Sequence, residues 1–394
     1  MLDDRETIDQ IVLRRQACAA LDAGEAADLL CYVDRARAAG EQLGGVQGRR
    51  RVDAAVHELS LALRLPVPAV ERQVARARRL RSVLPSVWQA WHDGRVPTAQ
   101  VVEIDRAARR LTRPSSLAGL DDVVIDALAG RTPSQAGRWL DRWVEQTEAD
   151  ASRARHELAR ADRAVTVRPL GDGMARLTAS VSAVEAAAIV QSLIKAAHAL
   201  PADDPRTIDQ ARADLLVDTL LGRSEGGLGF RAVIGVTVPL SSLMGFSDTP
   251  GELSDRSATI PAHIIREALV DEQSLLYRLV TDDVGDLMTI TWLGRFAPTR
   301  LAQVLAFRDG TSVFPTSTVP AACCDTDHSD PWPADTCAAN TGPLNRRAHN
   351  LKTENLIRMR QPTPGVFEWI TRTGHTYTRH PDPLPTAGWD DDHG

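Results

Sequence analysis

From about Arg5 to Val144 the apolar positions recur at helical spacing. Ile8, Ile11 and Val12 open an apolar stripe, and Leu29, Leu30, Val33 and Ala36 continue one; a three-to-four-residue period places such side chains on one helix face. The stretch VDAAVHELSLALRLPVPAVERQVARARRL predicts two helices meeting at Leu65-Pro66-Val67-Pro68. Pro66 ends the first helix, because its ring removes a backbone donor, and Pro68 suits the first turn of the second. A break at Gly94-Arg95-Val96-Pro97 starts another helix, and Arg113-Pro114-Ser115-Ser116 reads as a loop.

Near Asp162 the period changes from helical to alternating. RAVTVRPLGDGMARLTASVS alternates about a Gly171-Asp172-Gly173 turn and predicts a hairpin. Helices follow over Ala183 to Leu200 and over IDQARADLLVDTLLG to Gly222, then a glycine-rich linker from Arg223 to Gly229. RAVIGVTVPLSSLMG and LMTITWLG read as strands, with a helix from Ile260 to Val270 behind Pro261 between them. From Leu301 short strands predominate and Pro, Thr, Asp, His and Asn concentrate, while GWDDDHG reads as a disordered tail. The expected division is a helix-rich domain over 1–300, a compact module over 301–385 and a tail over 386–394.

Composition narrows the class. At 394 residues the chain exceeds the ~100–200 of one ordinary domain. Its hydrophobic (43%) and charged (25%) fractions are those of a globular protein, and only 4% of residues are aromatic, which favours helix over sheet. Lys195 and Lys352 are the only lysines beside many arginines, and the net charge is −6. That balance argues against non-specific coating of DNA and leaves a local basic face open. No apolar run reaches the ~18 residues of a membrane span, and MLDDRETIDQ does not resemble a signal peptide. Five cysteines (Cys18, Cys31, Cys323, Cys324, Cys337) lack any C-x-x-C spacing, so a reduced, cytoplasmic setting is expected. Cys18 and Cys31 sit among apolar helical residues and are expected to be buried thiols, with His57, His92 and His156 structural or exposed.

The chemistry-bearing residues lie near the C-terminus. Cys324-Asp325-Thr326-Asp327-His328 precedes Pro331-Trp332; Asn340 follows; then comes the basic helix Leu344 to Thr353, carrying Arg346, Arg347, His349 and Lys352. Val366 to Ile370 and Thr376-Tyr377 read as strands behind it, separated by a turn at Thr373-Gly374. Phosphodiester hydrolysis needs a base titrating near neutrality, which His supplies. It also needs a hard cation on the phosphate oxygen, which carboxylate and imidazole can hold with positions left open. A neutral amide can fix the base or its loop without adding charge. Asp327-His328 on a strand, Asn340 in a loop and His349 on a helix supply one of each.

This stretch resembles the HNH endonuclease family, in the subgroup fused behind a long helical domain of unknown function in bacterial repeat-element proteins. DPRTIDQARADLLVDTLLG, VTVPLSSLMG and RQPTPGVFEWITRTGHTY extend the resemblance over most of the chain. It implies an α+β, helix-dominant fold: a long helical domain with a small mixed sheet, then a ββα-metal module. It implies His328 as general base, Asn340 as the residue positioning it, Asp327 and His349 as ligands of one divalent cation (Mg²⁺ foremost), and nucleic acid as partner, DNA ahead of RNA. Arg346, Arg347 and Lys352 are candidate phosphate contacts, with a solvated helix face as the alternative. No membrane partner is expected, and no oligomeric state is specified.

The sequence departs from that pattern at the structural zinc. The four positions that usually carry its ligands read Ser312, Ser317, Asn345 and Ala348, while the four active-site positions remain. No structural zinc is therefore expected, and packing of Phe314, Trp332, Leu344 and Phe367 is expected to hold the module instead. Trp369 also reads as core. The alternative is a degenerate module, leaving a non-catalytic DNA-binding or scaffold protein; a dormant nuclease ordered by a partner is a third possibility. The Val52–Leu80 helix pair, with Arg72, Arg76, Arg78 and Arg79, has the outline of a helix-turn-helix, an outline that helical hairpins in Arg-rich chains often share.

Overall fold

A computed structural model describes residues 3–201, 203–221, 235–268, 291–292, 299–330, 336–382 and 384. Helices dominate, with small sheets, an α+β arrangement. By their contacts the residues form two compact units: Met1–Arg155 with Val280–Pro383, and His156–Leu279 with Leu384–Gly394.

The first unit begins with seven helices: α1 (Asp4–Leu43), α2 (Gly45–Leu63), α3 (Val67–Val83), α4 (Pro85–His92), α5 (Thr98–Ala108), α6 (Pro114–Leu128) and α7 (Pro133–Thr147). Asp3 and Glu6 cap the start of α1 reciprocally, which satisfies backbone donors that the first turn leaves free. Leu29, Leu30 and Val33 of α1 are buried with Val70, Leu80, Ile104, Leu120 and Leu140 in a core shared by all seven helices. Gly40 and Gly48 bring α1 and α2 into backbone contact, since a Cβ at Gly48 would lie 2.4 Å from the Gly40 carbonyl oxygen.

Several expectations change here. Ile8, Ile11 and Val12 are exposed (61, 59 and 49%), because α1 runs on beyond the helices that cover its later half. Cys18 and Cys31 are exposed as well. Pro114 opens α6 instead of sitting in a loop, since a first-turn proline loses no helix bond. The α2–α3 pair forms with Pro68 in the first turn, but α3 is built into the bundle: Arg76 and Arg79 pair with Asp105, and Arg78 with Asp34. Three of the four arginines of the helix-turn-helix outline are thus engaged within the fold.

After α8 (Ser152–Ala161), the second unit holds the expected hairpin, β1 (Ala164–Gly171) with β2 (Met174–Ser180), then α9 (Ala183–His198) and α10 (Ile208–Leu221). β3 (Val236–Thr237), β4 (Gly251–Leu253) and β5 (Thr259–Ile260) form one small sheet, with α11 (Leu240–Leu243) and α12 (Ala262–Ala268) beside it. The sheet expected to be mixed is antiparallel throughout its described strands. The first four residues of RAVIGVTVPLSSLMG lie outside the described residues; from Gly235 on, Val236–Thr237 is strand and Leu240–Leu243 turns helical behind Pro239. The Arg223–Gly229 linker, most of LMTITWLG, Trp332 and the tail lie outside the described residues.

The first unit resumes with β6 (Thr291–Trp292), α13 (Thr299–Asp309), β7 (Asp325–His328), β8 (Thr336–Cys337), β9 (Thr341–Leu344), α14 (Arg346–Thr353), β10 (Arg358–Thr363), β11 (Val366–Ile370) and β12 (Thr376–Arg379). β10–β11–β12 is an antiparallel sheet. Its Phe367 and Trp369 are buried with Val313, Phe314, Leu344, Ala348 and Leu351, and this core also takes in Ala54 and Leu61 of α2. The Trp369 indole donates to the Val313 carbonyl at 3.0 Å and meets Phe314 edge-on at 5.2 Å. Polar ties join the same surfaces: Glu58 accepts from the Thr373 backbone at 3.0 Å, and Arg347 pairs with Asp53 and Glu71 at 2.6 and 2.7 Å. The boundary expected at residue 300 is therefore not where the contacts divide the chain. A composition change marks it, but α2 packs with the residues beyond it.

Among the described residues no helix is long and apolar enough to cross a membrane.

His57 sits at this junction, 1% exposed, against the Phe314 ring and donating from Nδ1 to the Asp53 carbonyl at 2.8 Å. Burial pushes its pKa down from 6.5 to about 4. The unfolded chain therefore takes up a proton that the folded chain resists, so stability is full above about pH 6.5 and is lost as pH falls toward 4. At pH 5 the loss is about 2 kcal/mol by linkage. Urea unfolding at pH 7 and pH 5 should show this drop in the parent and a smaller one in His57→Gln; equal drops would remove His57 as the cause.

Candidate functional site

β7 and β9 pair antiparallel, Asp325 opposite Leu344, Asp327 opposite Gly342 and His328 opposite Thr341, and α14 follows directly. Gly342 lets this ribbon lie on the core, since a Cβ there would come within 2.6 Å of the Phe367 ring. Asn345 caps α14 by accepting from the Ala348 backbone at 3.0 Å. Ala348 and Leu351, three apart, are the buried face of α14. His349 and Lys352, also three apart, form the next face round the helix, and that face meets β7.

Alternation along β7 puts Asp325 and Asp327 on one side of the strand, and the His349 imidazole lies between them. Its Nδ1 is 3.0 Å from Asp325 Oδ2, and its Nε2 is 3.6 Å from Asp327 Oδ1. A proton on Nδ1, held by Asp325, leaves the Nε2 lone pair facing Asp327, as in carboxylate–histidine pairs that orient a ligand. Lys352 donates to Asp327 Oδ2 at 2.7 Å and to the His328 carbonyl. Arg346 reaches Asp325 at 2.6 Å with its side chain 72% exposed.

The other expected residues take separate places. His328 turns its Nε2 to the Thr336 hydroxyl at 2.8 Å, not to Asp327 or His349. Its pKa is lowered, first by burial and also by the Lys352 ammonium, against the opposing pull of Asp327. A neutral imidazole is thereby favoured, the form that accepts a proton. Asn340 braces the loop: its Oδ1 accepts from the Asp330 backbone at 2.7 Å and its Nδ2 donates to the Asp330 carbonyl at 3.2 Å. Arg308, buried and paired with Asp309, donates to the Ala338 and Thr341 carbonyls at 2.5 and 2.9 Å and pins the same turn. Of the expected phosphate contacts, Arg347 is committed to Asp53 and Glu71, Lys352 to Asp327, and Arg346 alone points outward.

Asp325, Thr336 and Arg308 are the residues sequence reasoning passed over. The two-residue spacing of Asp325 and Asp327 was a readable signal; nothing local marked Thr336 or Arg308. Among the described residues no group of three or more His, Cys, Asp or Glu is arranged to hold a metal ion, so Asp327 and His349 stand as a pair. Octahedral Mg²⁺ often takes only one or two ligands from protein, and Asp327 and His349 are the two side chains that would hold such an ion here.

The four positions that the family resemblance gives to zinc ligands also converge. Asn345 Nδ2 donates to Ser312 Oγ at 3.1 Å and to Ser317 Oγ at 3.3 Å, its backbone N–H donates to Ser312 Oγ at 3.1 Å, and its Oδ1 caps the Ala348 backbone. A hydrogen-bonded cluster joins the Ser312–Ser317 loop to the head of α14. The core expected around Phe314, Leu344 and Phe367 lies beneath it, all three fully buried.

The family described as "Domain of unknown function (DUF222)" matches residues 14–309, a span that ends before β7. Uncharacterized protein Rv3776 of Mycobacterium tuberculosis (strain H37Rv) is 28% identical over 372 residues, covering 84% of this chain and 71% of its own length. Uncharacterized protein Rv2100 of the same strain is 30% identical over 324 residues, 68% of this chain, and the chain spans only 58% of that relative. No solved structure matches.

Asn345→Ala removes both the helix cap and the donors to the two serines, so it should cost about 1–2 kcal/mol in urea unfolding. Asn345→Asp, which keeps the cap, should lose less. An alanine variant as stable as the parent would show that the cluster does not hold the loop to α14.

Proposed function

The chain belongs to the DUF222 family, and we propose that its C-terminal module is a metal-dependent endonuclease of the HNH type, hydrolysing phosphodiester bonds in DNA ahead of RNA. The observation that carries this reading is the meeting of Asp327 and His349 on a strand–strand–helix unit, 3.6 Å apart, with Asp325 holding the far side of the imidazole. A carboxylate and an imidazole are a donor set suited to one divalent cation with open positions. When bound, that cation would neutralise charge on the phosphate. His328, kept neutral by burial, takes a proton from the attacking water; its Nδ1 carries no protein hydrogen bond among the described residues. Asn340 and Arg308 keep the intervening loop in place, and Asp325 fixes the tautomer of His349. The five cysteines form no disulfide, and a cytoplasmic setting accords with this.

A second reading rests on Lys352. Its ammonium neutralises Asp327 at 2.7 Å, supplying from the chain itself the positive charge that a cation would bring. On that reading the chain binds DNA without cutting it.

Plasmid nicking separates the two. With Mg²⁺ or Mn²⁺ the purified chain should nick, EDTA should stop it, and His328→Ala should lower the rate about 10²–10⁴-fold, the usual worth of a general base. A folded chain that retains DNA without cutting it under any metal selects the second reading. Asp325→Asn should weaken Mn²⁺ binding, followed by electron paramagnetic resonance, about 10–100-fold, and an unchanged affinity would deny Asp325 its orienting role.

A further inference from the structure

Beside the Asp327–His349 pair, α2 and α14 form the walls of an open cleft of about 540 Å³. Arg49, Arg50 and Asp53 line it from α2, and Arg346, Arg347 and Asn350 from α14. Four guanidiniums against one carboxylate in the lining suit phosphate oxygens, which arginine binds through paired N–H groups.

The four arginines are not equivalent. Arg347 is held by two carboxylates, Asp53 at 2.6 Å and Glu71 at 2.7 Å, and serves as a pin between the walls. Among the described residues Arg50 pairs with Glu354 at 3.1 Å, and Arg346 with Asp325 at 2.6 Å. Arg49 is exposed and pairs with no carboxylate among the described residues. Ion pairs open to solvent are weak. The Arg346 side chain is 72% exposed and the Arg50–Glu354 pair is partly exposed (22 and 34%). A phosphate can therefore compete for both guanidiniums and meet Arg49, which no described carboxylate holds. Arg346 is the link between cleft and candidate site, since it pairs with Asp325, which in turn holds His349.

We propose that this cleft binds the phosphodiester backbone of the nucleic acid on which the module acts, with Arg49 and Arg50 of α2 and Arg346 of α14 as phosphate contacts. The proposal rests on the nuclease reading for the direction of the strand and gives the N-terminal helices a part in substrate binding. Its binding test is independent of cleavage.

The test is fluorescence anisotropy of the full chain with a labelled DNA duplex, and with an RNA duplex of the same sequence, in EDTA. Arg49→Glu should weaken binding several-fold, and Arg49→Glu/Arg50→Glu at least ~10-fold, with the salt slope of log K shallower by about one to two. Arg142→Glu, exposed on α7, should change affinity less than twofold. Among the described residues Arg49 makes no ion pair, so its single variant keeps the readout free of folding effects. Loss with one duplex type only assigns the cleft to that nucleic acid. Affinity indifferent to Arg49 and Arg50, or absent in the parent, overturns the proposal. Nicking assays run in parallel separate the two claims: cleft-dependent binding without nicking sinks the nuclease alone, and nicking with cleft-independent binding sinks the cleft alone.

Discussion

The C-terminal module borrows part of its core from α2. Ala54 and Leu61 enter the same buried cluster as Phe314, Phe367 and Trp369, while Val56 on the same helix joins the core of the seven-helix bundle. One helix thus serves two cores, and the close Gly40–Gly48 crossing anchors it to α1. A small domain is hard to stabilise alone because it buries too little apolar surface, and sharing α2 enlarges that surface without adding residues. β7, β9 and α14 rest on the shared core, so the spacing of Asp327 and His349 depends on it.

Charge placement follows the same logic. An arginine-rich chain invites the reading of an open basic face, yet most of the cations traced through this fold are spent inside it. Arg76, Arg78 and Arg79 tie α3 to Asp105 and Asp34, Arg308 staples the Asn340 loop, Arg347 pins α14 to α2 and α3, and Lys352 rests on Asp327. Arg49 and the 72%-exposed Arg346 line one cleft between α2 and α14. A chain of net charge −6 can in this way carry a local phosphate surface without attracting polyanions everywhere.

The Ser312–Ser317–Asn345–Ala348 cluster illustrates how one connection can be made by different chemistry. Side-chain and backbone hydrogen bonds link a loop to a helix head there, and each contributes modestly. Together with the buried Phe314 and Leu344 beneath, they are enough to fix Asn345 as both cap and cross-link.

Local chemistry by itself determined the helices broken at Pro66 and Pro97, the hairpin about Gly171–Gly173, and the placement of Asp327-His328 on a strand and His349 on a helix. Periodicity and proline geometry act within a few residues, so one stretch of sequence carries them. The pairing of Asp325 with His349, the turning of His328 to Thr336, the capture of Lys352 by Asp327 and the union of α2 with the C-terminal core were decided only by tertiary structure. Apart from His328 and Thr336, eight residues apart across a loop, these join groups well separated along the chain, up to some 300 residues apart for Asp53 and Arg347, and no local pattern encodes which distant surface an apolar face or a charged side chain will meet.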